Sequence, residues 1–333
     1  MCSSGDTAGM RAAVVTTPGG PEVLEIMEVP DPVPGPDEIR VRVTHSACNR
    51  ADIMQRLGGY PDPVQRSHNI LGLEYAGFVE SVGERVTRWS VGDRVMGIEA
   101  GGCNAELVVT HERMALAVPD SLADDEMAAI PEVFITAWDA LVAQGGLSAG
   151  RWALVHAGGS GVGTASIQIA RAIGARIAVT CSARKADACR DLGADLVLER
   201  SPADWASQLR DAVPDGVDVV LDVVGGDEVD RNLKVVRTQG TIMQVGLLGG
   251  ASASVSTGLL LTKRIHWIGT TLRNRPLEQK IAAVQRFAAE MMPLIANGTL
   301  RPVVDTTFAL DDIADAHRHM EADANVGKIL LQM

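Results

Sequence analysis

Three observations predict an α/β fold in which a helix-covered parallel sheet follows a β-rich first part. A glycine-rich turn, Gly158-Gly-Ser160-Gly-Val-Gly163, joins a strand-like run to a helix-like run. Strand and helix patterns alternate from about residue 130 to 270, as a parallel sheet requires. Residues 11 to about 127 carry short apolar, β-branched runs between turn signals.

In the first part these runs are Ala12–Thr16, Ile39–Thr44, Tyr75–Val82, Arg94–Ile98 and Ala105–Val109. Pro18-Gly-Gly-Pro21, Asp31-Pro-Val-Pro-Gly-Pro36, Gly92-Asp93 and Gly101-Gly102 punctuate them. The alternating region opens with a strand, Trp152–Val155. The helix after the glycine turn spans Thr164–Ile173 and stops at Gly174. A second strand, Arg176–Thr180, leads to a helix over Lys185–Leu192. Leu196–Leu198, Val217–Asp222, Thr241–Val245 and Ile265–Ile268 complete the strand set. The tail predicts a helix Leu277–Asn297, a strand near Thr306–Ala309, a helix Ile313–Ala322 and a last strand Ile329–Leu331. A tail folded back on the first part would leave a cleft facing the nucleotide region, and clefts between domains are common ligand sites.

The turn predicts a dinucleotide site. Glycines such as Gly158 and Gly163 let the backbone approach a pyrophosphate, and free amides with the helix dipole favour the anion. Serine stands at the third position, where the usual pattern has glycine. An acid roughly twenty residues on would select NAD. No acid stands between Gly163 and Asp187; Ser182, Arg184 and Lys185 follow the second strand instead. A hydroxyl and two cations suit a 2′-phosphate, so NADPH is the expected cofactor.

Composition bounds the class. A chain of 333 residues can bury a large core and form two domains. Hydrophobic residues make up 46% and charged residues 22%, which is globular. A net charge of −12 argues against non-specific binding to nucleic acid or anionic membranes. No apolar run reaches the roughly eighteen residues of a membrane span. The first ten residues lack a basic start and an apolar core, so they read as a mobile tail, not a signal peptide. Five scattered cysteines with no C-x-x-C pair fit a reducing cytosol. The histidines form no metal-binding set, and His317 and His319 read as surface residues.

Further motifs carry a resemblance. Asn49-Arg-Ala-Asp52-Ile-Met-Gln-Arg56-Leu-Gly-Gly-Tyr60, Ile70-Leu-Gly-Leu-Glu-Tyr-Ala-Gly77, Gly92-Asp-Arg-Val95 and Ala128-Ala-Ile-Pro-Glu132 come first. His156 to Thr164, Asp222-Val-Val-Gly-Gly226, Gly246-Leu-Leu-Gly-Gly250, Leu272-Arg-Asn-Arg275 and Asn325-Val-Gly-Lys-Ile329 continue it. Across residues 11–331 the chain resembles the zinc-free quinone oxidoreductases, zeta-crystallin-like members of the medium-chain dehydrogenase/reductase superfamily. It is most similar to their tumour-suppressor-inducible branch.

The resemblance implies a GroES-like catalytic domain with a Rossmann doubly wound sheet inserted in it. The divisions it implies are 1–127, 128–270 and 271–333. It implies a homodimer, with NADPH in the interdomain cleft. By the same resemblance Ser160, Gly161 and Val162 would hold the pyrophosphate, and Ser182 and Lys185 the 2′-phosphate. Thr136 and Val245-Gly246-Leu247 would sit near the nicotinamide. Asn49 would line the substrate side and Lys328 would brace the cofactor. Arg200 stands where many relatives have a tyrosine beside the adenosine; a guanidinium there could stack on adenine or pair with phosphate. Met54 replaces a second active-site tyrosine of some bacterial relatives, which makes the pocket less polar. Phe134 and Leu247–Leu248 would also shape it.

Zinc-dependent relatives carry a cysteine at Asn49, and their Gly-His-Glu appears here as Gly72-Leu73-Glu74. Leucine cannot bind metal and an amide is a poor zinc ligand. No four-cysteine lobe exists, since Cys103 stands alone. Without a Lewis acid, alcohol oxidation loses its main electrostatic help, whereas reduction of an electron-poor acceptor can rely on proximity and orientation. Quinone or conjugated-carbonyl reduction is therefore expected, with Asn49 polarising the carbonyl. The alternative is an enoyl-thioester or enone reductase with Tyr60 as proton donor. A third reading is an NADPH-binding sensor or structural protein.

Overall fold

The computed structural model describes residues 9–200 and 204–333. The chain forms two compact units. One comprises the chain up to Glu132 with Arg273–Ala296 and Val304–Met333; the other comprises Val133–Leu272 and Asn297–Val303.

In chain order the first strands are β1 (Gly9–Val15), β2 (Leu24–Pro30) and β3 (Glu38–Ala47), followed by α1 (Arg50–Arg56). Next come β4 (Glu74–Val82), β5 (Arg94–Ile98), β6 (Leu107–His111), β7 (Leu116–Ala117) and α2 (Pro131–Trp138). The alternating region contains β8 (Trp152–His156), α3 (Gly161–Ala172), β9 (Arg176–Cys181), α4 (Ala186–Asp191) and β10 (Leu196–Glu199). It continues through α5 (Trp205–Ala212), β11 (Val217–Asp222), α6 (Glu228–Val235), β12 (Val236–Gln244), α7 (Thr257–Lys263) and β13 (His266–Gly269). The tail holds α8 (Leu277–Ala296), β14 (Val304–Ala309), α9 (Ile313–Glu321) and β15 (Lys328–Gln332).

In the first unit the main sheet runs β14-β15-β3-β4-β5-β7, with β6 also paired to β3. Its pattern has period two. Ile39, Val41 and Val43 of β3 meet Tyr75, Val79 and Val95 in one core. The last strand of the chain is built into this sheet: β15 lies antiparallel to β3, with Leu330 opposite Ala47. Its Ile329 and Leu331 face a second core with Ile53, Ile313 and Met320.

In the second unit all six strands are parallel, in the order β10-β9-β8-β11-β12-β13. Numbered by appearance within the unit, this is the 3-2-1-4-5-6 order of a doubly wound dinucleotide-binding sheet. Neighbouring residues feed opposite cores. Val155, Val179, Leu221 and Met243 lie on one face, and Leu154, Ala178, Val220 and Ile242 on the other. That double burial explains why these strands read as unbroken apolar runs. The strand order reverses between β8 and β11, and the glycine turn sits at the end of β8.

Several elements depart from expectation. β2, α1 and β7 carry no signal in one dimension; β2 mixes Glu25 and Glu28 into a half-buried strand. The strand expected over Ala105–Val109 lies at Leu107–His111, and Ala105 makes only a bridge to Ala12. A separate single turn, Ala183–Lys185, precedes α4. Gly9 and Met10 belong to β1, not to a tail; the remainder of that expectation, residues 1–8 with Cys2, lies outside the described residues. Among the described residues no helix is long and apolar enough to cross a membrane.

His317 is a clear correction. It is 0% exposed, because α9 packs this face into the core. The buried Arg56 guanidinium lies 3.0 Å from His317 Nδ1 and also donates to Gly19 O and Glu321. Burial and that cation push the imidazole down to about 3.

The sign of the resulting linkage follows. The folded pKa of His317 lies below its ordinary value of 6.5, so the unfolded chain binds the proton first as pH falls. Stability associated with the neutral ring is complete above pH 6.5 and is lost on acidification toward about 3. His317→Gln should remove this loss. The stability difference, native protein minus variant, should shrink by about 1.4 kcal/mol per pH unit below that midpoint. Denaturant titrations at pH 7 and pH 5 giving the same difference would contradict the assignment.

Candidate functional site

The nucleotide turn is shaped by close contacts. Ala157 takes a left-handed φ of 59° as β8 ends. A Cβ on Gly158 would stand 2.6 Å from Val179 Cβ, and one on Gly163 would stand 2.4 Å from Ala157 O and Gly158 O. Only glycine permits both approaches. Ser160 caps α3, its Oγ accepting from Gly163 N at 3.1 Å. Serine therefore replaces the third glycine with a gain in local order. Gly161 and Val162 contribute first-turn amides of the kind that bind anions.

Ser182 follows β9, and its Oγ is buried without a hydrogen-bond partner among the described residues. The aliphatic stem of Lys185 lies over Gly159, where an added Cβ would be 2.6 Å from Lys185 Cδ. Lys185 is buried, whereas Arg184 and Arg200 are exposed. Arg200 N donates to Cys181 O at 2.9 Å, which brings the end of β10 beside the end of β9. The orphaned hydroxyl and the neighbouring lysine fit a 2′-phosphate. An acid, the group that would suit a free ribose, is missing from this stretch.

Beneath the turn runs a buried polar chain that sequence reasoning missed. Asp222 Oδ1 accepts from Val224 N and Gly225 N at 2.6 and 2.9 Å. Its Oδ2 accepts from Asn232 Nδ2 at 2.9 Å. Asn232 Oδ1 lies 2.8 Å from His156 Nε2, and His156 Nδ1 lies 2.9 Å from Thr180 Oγ1. The carboxylate fixes the amide orientation, so His156 must donate from Nε2 and accept from Thr180 at Nδ1. The Asp222 carbonyl accepts from Val245 N and Gly246 N at 2.8 and 3.2 Å, which lays the Val245–Leu247 stretch across the end of β11. Leu247 and Leu248 are exposed.

The first unit holds a second polar cluster. Asn49 follows β3 by two residues and caps α1; its backbone N–H donates to Asp52 Oδ2 at 2.7 Å. Lys328, on β15, donates from Nζ to Cys48 O at 2.9 Å, Asn49 Oδ1 at 2.8 Å and Glu74 Oε1 at 2.7 Å. All three ammonium hydrogens thus have oxygen partners. Asn49 Nδ2 donates to Glu74 Oε1 at 3.0 Å and to Ala47 O at 3.3 Å. Both amide hydrogens are engaged within the protein, so this arrangement leaves neither for an acceptor carbonyl. Glu74 Oε2 accepts from Glu132 N at 2.8 Å. Leu73 is buried, and Gly72 N donates to Asp52 Oδ1 at 3.1 Å. Burial pushes the Asp52 carboxyl up to about 6 against those two amide bonds, and it pushes the Cys48 thiol up as well.

Tyr60 follows α1 and packs against Arg273. The buried Arg273 guanidinium covers its ring at 4.6 Å and bonds Tyr60 O, Ala100 O and Gln55 Oε1. Thr136 lies on α2 and is half-buried, and Phe134 is buried. Sequence reasoning missed the roles of Glu74, Glu132, Asp52 and Arg273. The Gly72-Leu-Glu74 and Pro131-Glu132 motifs were visible, but carboxylates inside apolar runs give no pairing signal in one dimension.

Comparison with known proteins agrees with this geometry. A family described as alcohol dehydrogenase GroES-like domain matches residues 35–120. One described as zinc-binding dehydrogenase matches residues 161–290, a stretch that begins within the nucleotide turn and contains neither Asn49 nor Leu73. A quinone oxidoreductase from Pseudomonas syringae is 31% identical, with 97% of this chain and 100% of that chain covered and a TM-score of 0.88. A mycobacterial protein solved with NADPH is 30% identical over the same shares, also at 0.88. A mycocerosic acid synthase-like polyketide synthase of Mycobacterium tuberculosis is 34% identical over 98% of this chain, but the chain spans only 15% of that protein. The fold and site define a nicotinamide-dependent oxidoreductase of the medium-chain dehydrogenase/reductase superfamily, and within it the chain belongs to the zinc-independent quinone oxidoreductase family.

Lys328→Met should expose the dependence of the first unit on its buried ion pair. Removing one partner of such a pair leaves an uncompensated charge, a loss of about 3–5 kcal/mol. Glu74 is 0% exposed, so little solvent screening softens the effect. Urea unfolding should show that drop, and the double change Lys328→Met with Glu74→Gln should recover part of it. No recovery in the double variant would argue against a specific charge pairing.

Proposed function

We propose that the chain reduces quinones or related conjugated carbonyls with NADPH and without a metal. The observation carrying this reading is the Lys328 ammonium held by Cys48 O, Asn49 Oδ1 and Glu74 Oε1. A fixed organic cation, with every hydrogen used, bonds Asn49 and Glu74, two positions in the motifs that the resemblance aligns with the metal-binding motifs of zinc-dependent relatives. It cannot bind an alkoxide or activate water as a Lewis acid does. Among the described residues no group of three or more His, Cys, Asp or Glu is arranged to hold a metal ion. The acceptor must then be electron-poor by itself, which favours quinones and enones over alcohols and simple ketones. The likeness to a quinone oxidoreductase supports the same choice.

NADPH bound at the glycine turn would supply the hydride. Ser160, Gly161 and Val162 would hold its pyrophosphate, with Gly158 and Gly163 allowing the approach. Ser182 and Lys185 would receive the 2′-phosphate, and Arg184 and Arg200 add positive charge around it. Thr136 and the Val245–Leu247 stretch would bound the nicotinamide. Asn49 and Lys328 would act by holding Glu74 in a closed set of hydrogen bonds. A homodimer in a reducing cytosol fits the reading, since Cys48, Cys103, Cys181 and Cys189 are all free and buried.

Lys185→Ala tests the cofactor. One charged hydrogen bond is worth roughly 1.5–3 kcal/mol, so NADPH should bind about ten- to a hundredfold more weakly. NADH binding should hardly change. Equal losses for both, by fluorescence titration, would show that Lys185 does not read the phosphate.

An enoyl-thioester reductase is the second reading, favoured by the polyketide synthase relative, since polyketides are assembled as thioesters. It needs a placed acid for carbon, and Tyr60 was the expected donor. Arg273 lies over the Tyr60 ring at 4.6 Å, which supports reading Tyr60 as a wall residue, not a donor. Tyr60→Phe should therefore lower quinone turnover by less than about tenfold, against the roughly 100- to 10,000-fold expected for loss of a proton donor. A loss above a hundredfold with enoyl thioesters, in a protein inert toward quinones, would promote the second reading.

A further inference from the structure

Reduction of a conjugated carbonyl needs a proton as well as a hydride, and the groups around Glu74 differ sharply in their ability to give one. Asp52 is 0% exposed and both its oxygens accept backbone amides. Lys328 has three oxygen partners and is 3% exposed. The Cys48 thiol is buried. The Tyr60 ring is fixed under Arg273. Glu74 itself accepts from an ammonium, an amide side chain and a backbone N–H.

Glu132 is placed differently. Within α2 every residue is buried except Glu132 and Thr136. They stand one turn apart and share one helix face, the only face of α2 that is open. The Glu132 backbone is anchored through its N–H to Glu74. Its carboxyl has no hydrogen-bond partner among the described residues. Resting on the reading given above, we propose that Glu132 is the acid that protonates the acceptor as it is reduced, a role the neighbouring cluster is built to support.

The step balances. The acceptor gains a hydride with its electron pair, and the electrons of the carbonyl π bond move onto oxygen. That oxygen takes the proton of the Glu132 carboxyl as the Glu132 O–H bond breaks. The carboxylate left behind regains a proton from water. The acceptor gains two electrons and two hydrogens, and NADPH is oxidised to NADP⁺.

Electrostatics support the geometry. Burial, then the Glu74 carboxylate, push Glu132 up to about 8, with Asp52 adding to the rise and Lys328 and Arg273 opposing it. These are the charged groups facing it from β4, α1, β15 and the segment before α8. Glu132 is thus protonated at neutral pH. A carboxylic acid with a pKa near the working pH is an efficient donor that also recovers its proton quickly.

The test uses the full chain with NADPH, a panel of quinones and enones, and the variants Glu132→Gln and Glu132→Asp. Turnover by the unmodified protein should be constant below pH 7 and fall as pH rises through about 8. Glu132→Gln keeps the shape of the side chain. It should lower kcat by about 100-fold or more, abolish the alkaline fall, and change the Kd for NADPH by less than about threefold. Glu132→Asp should restore part of the rate together with the alkaline fall. A Gln variant within about threefold of the native rate would overturn the proposal, as would a slow one that keeps the alkaline fall. An unmodified protein that binds NADPH yet reduces no quinone or enone would instead sink the functional reading beneath it.

Discussion

The buried pair between Lys328 and Glu74 is the constraint on which the first unit depends. The two residues are 254 positions apart and lie on β15 and β4. A carboxylate in this interior without a counter-charge would carry a desolvation penalty of several kcal/mol. Glu74 cannot be neutralised until the last strand of the chain is in place beside β3. The pair therefore adds little net stability over an apolar replacement, yet it specifies one register for β15. It also orients Asn49, whose amide accepts from the ammonium and donates to the carboxylate, and it fixes the first turn of α2 through Glu132 N. A contact this distant in sequence forms late, because the loop entropy must be overcome first.

The second unit rests on a buried hydrogen-bonded chain instead of an ion pair. Its glycine turn must hold backbone amides toward an anion while resting on a dry core. Asp222, Asn232, His156 and Thr180 supply a continuous hydrogen-bonded support beneath it, crossing β11, α6, β8 and β9. Trp205 stands edge-on to the His156 ring at 5.1 Å and closes the network from solvent. Every buried polar atom along this chain has a partner, and such networks rigidify a site when fully satisfied. The glycines then meet their neighbours at distances that no side chain could tolerate.

Much of this fold was legible in one dimension. The parallel strands were readable because both their faces are buried, which makes each an uninterrupted apolar run. Val217–Asp222 appears in the structure with the expected ends. The nucleotide turn was readable because glycine spacing is a backbone requirement. The polar cluster was legible only as motifs. Asn49, Leu73 and Glu74 could be compared with metal-binding relatives, but the lysine answering them comes from the other end of the chain. Periodicity also misplaced His317. Spacing alone does not say which face of α9 meets the core, and the buried Arg56 beneath it has no local signature.

The cluster around Glu74 also separates two carboxyls that the sequence presents as alike. Glu74 accepts hydrogen bonds from the Lys328 ammonium, the Asn49 amide and the Glu132 backbone N–H. The Glu132 carboxyl accepts no hydrogen bond among the described residues, is pushed up by burial, Glu74 and Asp52 against the pull of Lys328 and Arg273, and is half open on α2. The two residues are tied through the Glu132 backbone N–H, which donates to Glu74, while the Glu132 carboxyl stays unbonded. Opposed environments of this kind are how a protein assigns different roles to identical groups. An ammonium in place of a metal is compatible with that division. Its hydrogens are shared among Glu74, Asn49 and the Cys48 carbonyl, and burial with Glu74 outweighs its pull on the Glu132 proton, whereas an open divalent ion would draw the proton from such an acid more strongly.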